Sequence, residues 1–312
     1  MKKIKQTQIE SQQNGTVYQK KRFRITADDL NGYAFIAIAL VAIAVFTIYP
    51  LISASITSFQ DYKPFGSEFI GWQNYINTLQ KDLFWKSLKN TVVYTAATVP
   101  ASICISFTIS VMIMSFKKKT QTIYKALFYL PAVTSAVVAS LVWIWIYDSS
   151  DVGLLNQLMA FFGLEPQRWL TSSKTAMFSL ILMALVSGQG TNIIIYIAAL
   201  LGIDNTYYEA AEIDGANFLQ KIFYIVIPQV KPTTLFLVIT GIINSFQVFI
   251  NAYLMTGGGP DNNTMMIGYL IFKNAFEYGE YGLACAQAII LTIIIAALTA
   301  LLYKVSGSDV EY

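Results

Sequence analysis

Six stretches of this chain contain no Asp, Glu, Lys or Arg, and each is long enough to cross a bilayer. They run from about Tyr33 to Phe59, Thr91 to Ser115, Leu127 to Ile146, Thr175 to Leu201, Thr233 to Met255 and Gly282 to Tyr303. A helix needs about 20 apolar residues to span a hydrocarbon core about 30 Å thick. In lipid the backbone must satisfy its own hydrogen bonds, so such stretches fold as helices. Charged residues make up only 12% of the chain, about half the share in a soluble protein. The expectation is an all-α polytopic membrane protein with six transmembrane helices. A polar tail over residues 1–32 precedes a membrane domain over 33–305, and a short tail follows over 306–312.

The spans carry marked irregularities. Pro50 should kink the first, which is too long for a signal-peptide core and reads as a retained helix. The fourth is interrupted by Ser187-Gly188-Gln189-Gly190-Thr191-Asn192, a polar break tolerated at that depth only against protein or a water-filled cavity. Orientation follows from the basic residues. With the N-terminus inside, the cytoplasmic parts hold Lys20, Lys21, Arg22, Arg24, Lys117, Lys118, Lys119 and others, about twice as many as the outer parts.

Several chemistries are excluded. Histidine is absent, so no His-based catalytic or metal scheme is available. Cys104 and Cys285 each fall within a span and read as small packing residues, with no metal cluster and no disulfide framework. No phosphate-cradling Gly-rich loop with its Lys occurs, so any ATP-driven step needs another polypeptide. Spans without ionisable groups offer no coupling residue to an ion- or proton-driven carrier and no acid–base pair to an enzyme. The expected large partner is the lipid bilayer, not nucleic acid.

One polar stretch between apolar spans, Thr206 to Pro228, stands apart. Thr206 and Glu209 have the spacing of a capping box, and Gly215 can take the left-handed conformation that ends a helix. A second helix can open at Asn217, with Gln220 three residues on, and bury Phe218, Leu219, Ile222 and Phe223. Pro228 and Pro232 close it. The basic-residue bias puts this knob in the cytoplasm.

The series Glu209-Ala210-Ala211, Gly215, Ile225, Ile227-Pro228 resembles the EAA loop of ABC importer permeases, with Ile in place of the usual Leu before the proline. Further matches follow the order of binding-protein-dependent sugar permeases of the maltose and multiple-sugar type. They are Phe69-Ile70-Gly71 with Asn74-Tyr75, Asp82 with Phe84-Trp85 and Asn90-Thr91, Gly153-Leu154-Leu155-Asn156, Trp169-Leu170, and Thr256 with Gly258-Gly259-Pro260. The resemblance covers roughly residues 33–303. It implies a type I ABC importer permease fold (MetI-like) in the bacterial cytoplasmic membrane, working as a transporter and not as an enzyme. It also implies that residues 204–228 form the coupling loop, with Glu209, Ala210, Ala211, Asp214, Gly215 and Pro228 docking an ATPase. The implied partners are a second homologous permease, two ABC ATPase subunits carrying ATP and Mg, an extracytoplasmic sugar-binding protein, and a carbohydrate.

The candidate substrate path consists of neutral polar groups inside the spans: Gln189, Asn192, Thr240, Asn244, Gln247 and Asn251. The last four are spaced by four, three and four residues, which puts them on one face of a single helix. Such groups suit sugar hydroxyls, and they equally suit hydrogen bonds between helices. A permease for another polyol-like solute such as a glycerol phosphate, or an ion-coupled carrier, stays open as an alternative.

Overall fold

A computed structural model of the chain describes residues 36–63 and 66–306. The N-terminal tail with its basic cluster and the C-terminal tail beyond Ser306 lie outside the described residues. The chain forms two units, one ending at Ile52 and one running from Ser53 onward.

Helix α1 covers Ile36–Thr57. Its turn over Ala44–Ile48 is a wide π-turn immediately before Pro50. Pro50 has no N–H to offer Phe46, and the wide turn absorbs the missing bond. A two-stranded hairpin follows, β1 (Gln60–Asp61) and β2 (Glu68–Phe69), paired antiparallel with Gln60 opposite Phe69. Helix α2 (Gln73–Gln80) leads into α3 (Asp82–Met114), a single helix of 33 residues, about 50 Å long. Helix α3 thus starts at Asp82, one full turn and more before the apolar run at Thr91. Asp82 sits in the first turn, where the free N–H groups favour a carboxylate.

The third and fourth spans are each two helices. Helices α4 (Lys118–Val133) and α5 (Ala136–Ile146) meet at 96°, so the span expected from about Leu127 to Ile146 starts earlier, at Lys118, and is bent. Thr134 is extended and Ser135 caps α5 through a bond from the Val137 N–H. After α6 (Leu154–Phe161), helices α7 (Ala176–Ser187) and α8 (Gly190–Leu201) meet at 43°, at the polar break expected there. Helix α9 (Asn205–Ile213) and α10 (Phe218–Gln229) form the polar knob, and α11 (Lys231–Phe246) leaves α10 at 65°. Helices α12 (Ile250–Thr256) and α13 (Ile267–Phe272, extended by a π-turn over Lys273–Glu277) precede the last span, α14 (Tyr281–Ser306). By length and composition this makes up to six membrane spans.

Helix α3 packs against α8 and α11, α4 against α8, α5 against α12, and α2 against α14. Two of these contacts need a missing side chain. A Cβ on Gly190 would stand 2.6 Å from the Phe128 carbonyl oxygen, and one on Gly282 would stand 2.0 Å from that of Gln60. The apolar side chains gather in separate cores. The largest joins Phe84, Tyr147, Trp169, Leu180, Phe246 and Met266. A second, near the knob, joins Tyr196, Leu200, Val226, Val230 and Leu237, and a third joins Ile113, Ile193 and Ile197.

The ordered motifs in the loops are clamps. Asn74 is buried and donates to the carbonyls of Ser58 (3.0 Å) and Gln60 (2.9 Å). Asn90 donates to the carbonyls of Asn262 (2.9 Å) and Met265 (3.1 Å), while the Thr91 hydroxyl accepts from the Ile267 N–H at 2.9 Å. Trp169 Nε1 donates to Asn156 Oδ1 at 2.8 Å. Cys104, expected as a packing residue, is exposed on α3.

Candidate coupling loop and translocation cavity

The knob is built from backbone rules. Asp204, extended at φ −65° and ψ 132°, caps α9 by accepting from the Thr206 N–H at 2.9 Å. The cap is therefore Asp204, not Thr206, which lies in the first turn and gives its own N–H to that cap. Glu209 is thereby released from any capping duty and is exposed on α9. At the far end Gly215 has φ +74°. The Gly215 N–H bonds to the Glu212 carbonyl at 3.0 Å and the Ala216 N–H to the Ala211 carbonyl at 2.8 Å. These two bonds are a Schellman stop, and they need the left-handed residue between them.

Asn217 and Gln220 then form a complete capping box, at 2.9 and 2.7 Å, as their spacing predicts. Lys221 bridges back to Glu212 at 2.8 Å and ties the two helices together. That bond from Lys221 holds the Glu212 carboxyl below its usual range, and the Thr206 N–H does the same for Asp204. The expected burial of the α10 apolar face is only partial. Ile222 and Val226 turn inward, but Phe218, Leu219 and Phe223 are about 60% exposed. Ile213 is 88% and Tyr224 80% exposed on the same two helices, as are Glu209 and Asp214 around the turn. Pro228 follows the π-turn Ile222–Val226 as Pro50 follows its own, again where an N–H is missing.

At the level of the helix breaks lies a cavity of about 500 Å³ between α3, α7, α8 and α11. Its polar lining is Tyr94, Thr98, Ser102, Thr191, Asn192, Thr240, Asn244 and Ser245, and among the described residues no charged side chain lines it. Ser102 is the hub of one wall. Its hydroxyl donates to Gln189 Oε1 at 2.9 Å and accepts from Asn192 Nδ2 at 3.1 Å. Gln189 itself is buried and donates to the Leu185 carbonyl at 2.9 Å, so it braces the wall from behind.

A sequence profile described as "Binding-protein-dependent transport system inner membrane component" matches residues 99–311. The chain belongs to this family. Among relatives of the permease, the arabinooligosaccharides transport system permease protein AraP of Bacillus subtilis is 32% identical over 278 residues, 88% of each chain. The probable ABC transporter permease protein YesP of the same organism is 33% identical over 305 residues, 96% of this chain and 97% of the relative. The fold matches that of a permease chain in a bacterial alginate ABC transporter, crystallised with an alginate pentasaccharide-bound periplasmic protein. The TM-score is 0.80 at 21% identity, over 89% of this chain and 94% of that one.

The six path candidates divide in the folded permease. Asn192, Thr240 and Asn244 line the cavity and Gln189 stands behind it. The single polar face through Gln247 and Asn251 does not exist, because α11 stops at Phe246. The Gln247 and Val248 N–H groups turn back to Asn244 (3.2 Å) and Ser245 (3.4 Å) in a tightened last turn, and Phe249 lies at φ −144°. Gly268 packs directly on this break, where a Cβ would meet the Val248 carbonyl oxygen at 3.1 Å. Asn251 belongs to α12 and accepts from the Ser140 hydroxyl of α5 at 3.3 Å, a bond between helices. Asn244 has no side-chain partner among the described residues, which leaves its amide to the cavity. The α3 wall was missed, although Tyr94, Thr98, Ser102, Ser106 and Ser110 recur every four residues.

Proposed function

We propose that the permease is one of two homologous membrane subunits of an ATP-driven importer for neutral carbohydrate, an oligosaccharide in particular. The observation that carries the reading is the cavity of hydroxyl and amide groups without a charge. A sugar offers donors and acceptors on every carbon and no net charge, so it exchanges bonds to water for bonds to Ser102, Asn192, Thr240 and Asn244. A phosphate or uronate would lose its hydration with no cation to replace it. This sets the cargo apart from that of the alginate importer, which is an acidic polysaccharide. The relative for arabino-oligosaccharides supports the same direction.

In this reading the loop over residues 204–228 faces the cytoplasm. Glu209, Ala210, Ala211, Asp214, Gly215 and Pro228 form the surface that seats one of two ATPase subunits, which carry ATP and Mg. The uncovered Phe218, Leu219 and Phe223 enlarge that surface. Residues 1–32 and 306–312 are cytoplasmic tails of the six-span domain in the bacterial cytoplasmic membrane. An extracytoplasmic sugar-binding protein delivers cargo to the opposite face.

The test is reconstitution of the four membrane and ATPase subunits in proteoliposomes with the binding protein. Uptake of labelled arabino-oligosaccharide should require ATP and exceed that of an oligouronate of equal length. Uptake driven by an ion gradient without ATP, or a preference for the uronate, would refute the assignment.

A further inference from the structure

A pocket of about 420 Å³ lies between the knob helices α9 and α10 and the ends of α3 and α8, and it shares no lining residue with the translocation cavity. Its floor is apolar, formed by Val111 and Met114 of α3, Leu200 of α8, and Ile222 and Val226 of α10. Leu200 and Val226 are buried members of the core near the knob. Ser115 and Asn205, by contrast, are exposed lining residues and mark the mouth. Lys221 also lines the wall, but its ammonium is already held by Glu212 at 2.8 Å. Water on such a floor lacks the roughly 2–4 polar partners it needs, so the space suits hydrocarbon.

The chain leaves this mouth at Ser115 and turns at once into Lys117-Lys118-Lys119. Gln121 Nε2 donates to the carbonyls of Met114 (3.2 Å) and Phe116 (2.9 Å), which clasps the start of α4 to the end of α3. The Lys117 and Lys119 Cα atoms thus lie at most about 8 and 15 Å from that of Ser115. All three lysines are exposed, and none has an acidic partner among the described residues. Beyond them Ile123, Leu127 and Leu130 are exposed on one face of α4, so the helix is charged where it starts and apolar further along. That order places the lysines at headgroup level, where each strengthens the hold on an anionic lipid by about fivefold. We propose that the pocket seats one acyl chain of an anionic phospholipid, with the phosphate on Lys117, Lys118 and Lys119. A free phosphate has no use for the apolar floor and an uncharged lipid none for the lysines, so the two halves select the lipid together. Because the pocket walls come from both the knob and the membrane helices, the seated chain bridges them. The proposal stands whether or not the permease moves carbohydrate.

The experiment uses the purified assembly in phosphatidylcholine nanodiscs containing a trace of phosphatidylglycerol with a diazirine in its acyl chain. A phosphatidylcholine probe with the same chain is the control, and cross-links are mapped by mass spectrometry. The phosphatidylglycerol probe should label residues 111–115, 200–203 and 222–226 at least about tenfold more than the control, less than the full effect of three lysines. Replacing all three lysines by Gln should abolish that preference, and replacing them by Arg should keep it. Ser115→Trp at the exposed mouth should block labelling of the floor by both probes. If the Gln variant does not insert or assemble, the preference of the wild type and the block by Ser115→Trp carry the test. Equal labelling by the two probes, a preference that survives in the Gln variant, or unchanged labelling in Ser115→Trp would overturn the proposal. So would loss of the preference on adding inorganic phosphate, which would make this a site for free phosphate. Cross-links from the floor to a polypeptide in place of lipid would overturn it too, since a protein segment would then fill the pocket.

Discussion

Gly215 offers a clean perturbation, because its surroundings separate backbone strain from crowding. It lies at φ +74°, and a Cβ placed on it would meet nothing within 4 Å. Gly215→Ala therefore costs only conformational energy within this chain, about 1–2 kcal/mol for an L-residue held in the left-handed region. At 1.4 kcal/mol per factor of ten this is about a 5- to 30-fold rise in the fraction of knobs with the turn open. Gly215→Val should cost more, since a β-branched side chain tolerates that region least. Gly215→Asn should cost least, because Asn visits it readily.

The two bonds that stop α9, from the N–H groups of Gly215 and Ala216, report on this directly. Hydrogen exchange of those amides in nanodisc-embedded permease should quicken in the order Asn, Ala, Val. Transport and stimulated ATP hydrolysis should fall in the same order if the turn alone matters. Exchange in the Val variant equal to wild type would refute the strain argument. Transport lost equally in all three variants, with exchange ranked as expected, would instead mean that a partner surface closes on Gly215 and leaves no room for any side chain.

Asp204→Ala should quicken amide exchange at the start of α9, whereas Glu209→Ala should leave that exchange unchanged and lower stimulated ATPase activity; the reverse pattern would restore Glu209 as a cap. The Asp204 and Glu212 carboxyls are held below their ordinary values of 3.8 and 4.5, so their stabilisation is present above those values and lost as pH falls through the lowered ones. Protection of the knob should accordingly be flat from neutral to mildly acid conditions, and a decline already near neutrality would contradict this. Asn192→Ala and Asn244→Ala should reduce sugar uptake with assembly intact, while Asn251→Ala, which loses the bond from Ser140, should act on stability; equal uptake defects in all three would contradict the split of the polar face. In a Cys-free background, an impermeant thiol reagent on intact cells should label a cysteine at Asn262 and spare one at Asn217, and the opposite result would invert the topology.

What was legible in the sequence follows the range of the interactions. The Asn217–Gln220 box, the Gly215 stop and the break at Gly188-Gln189 are set by neighbours within a few residues, and all three are present. The cap was placed two residues too late because Asp204 and Thr206 are both good N-cap residues, and spacing alone does not rank them. The end of α11 was not legible, because it depends on Gly268 of α13 pressing on the Val248 carbonyl. The 96° bend at Thr134-Ser135 has no glycine to announce it, and Pro131 lies within the last turn of α4. Half of the cavity wall was hidden for another reason. Thr98 returns its hydroxyl to the Tyr94 carbonyl and Ser106 returns its own to Ser102, so the α3 stripe reads as ordinary satisfied polarity until α8 is placed beside it.

The positions of the breaks acquire a common sense once the cores are compared. Helices α5 and α7 contribute to the core around Tyr147, Trp169 and Leu180, whereas their continuations α4 and α8 contribute to those around Tyr196 and Ile193 near the knob. In α11 Leu237 joins the core near the knob and Phe246 joins the other. The unbroken α3 does likewise, with Phe84 and Tyr94 on one side and Ile103 and Phe107 on the other, and Pro100 falls between them. Three of these four crossings, those of α3, α7–α8 and α11, occur where the chain lines the 500 Å³ cavity, and the α7–α8 crossing is itself a helix break. Close-packed cores resist deformation, so motion concentrates where packing is thin and backbone hydrogen bonds are already missing. That level is lined by Ser102, Asn192, Thr240 and Asn244, of which Ser102 and Asn192 bond to one another. The knob shares a core with α8 and α11 through Tyr208, Val226, Tyr196 and Leu237, and both of those helices line the cavity.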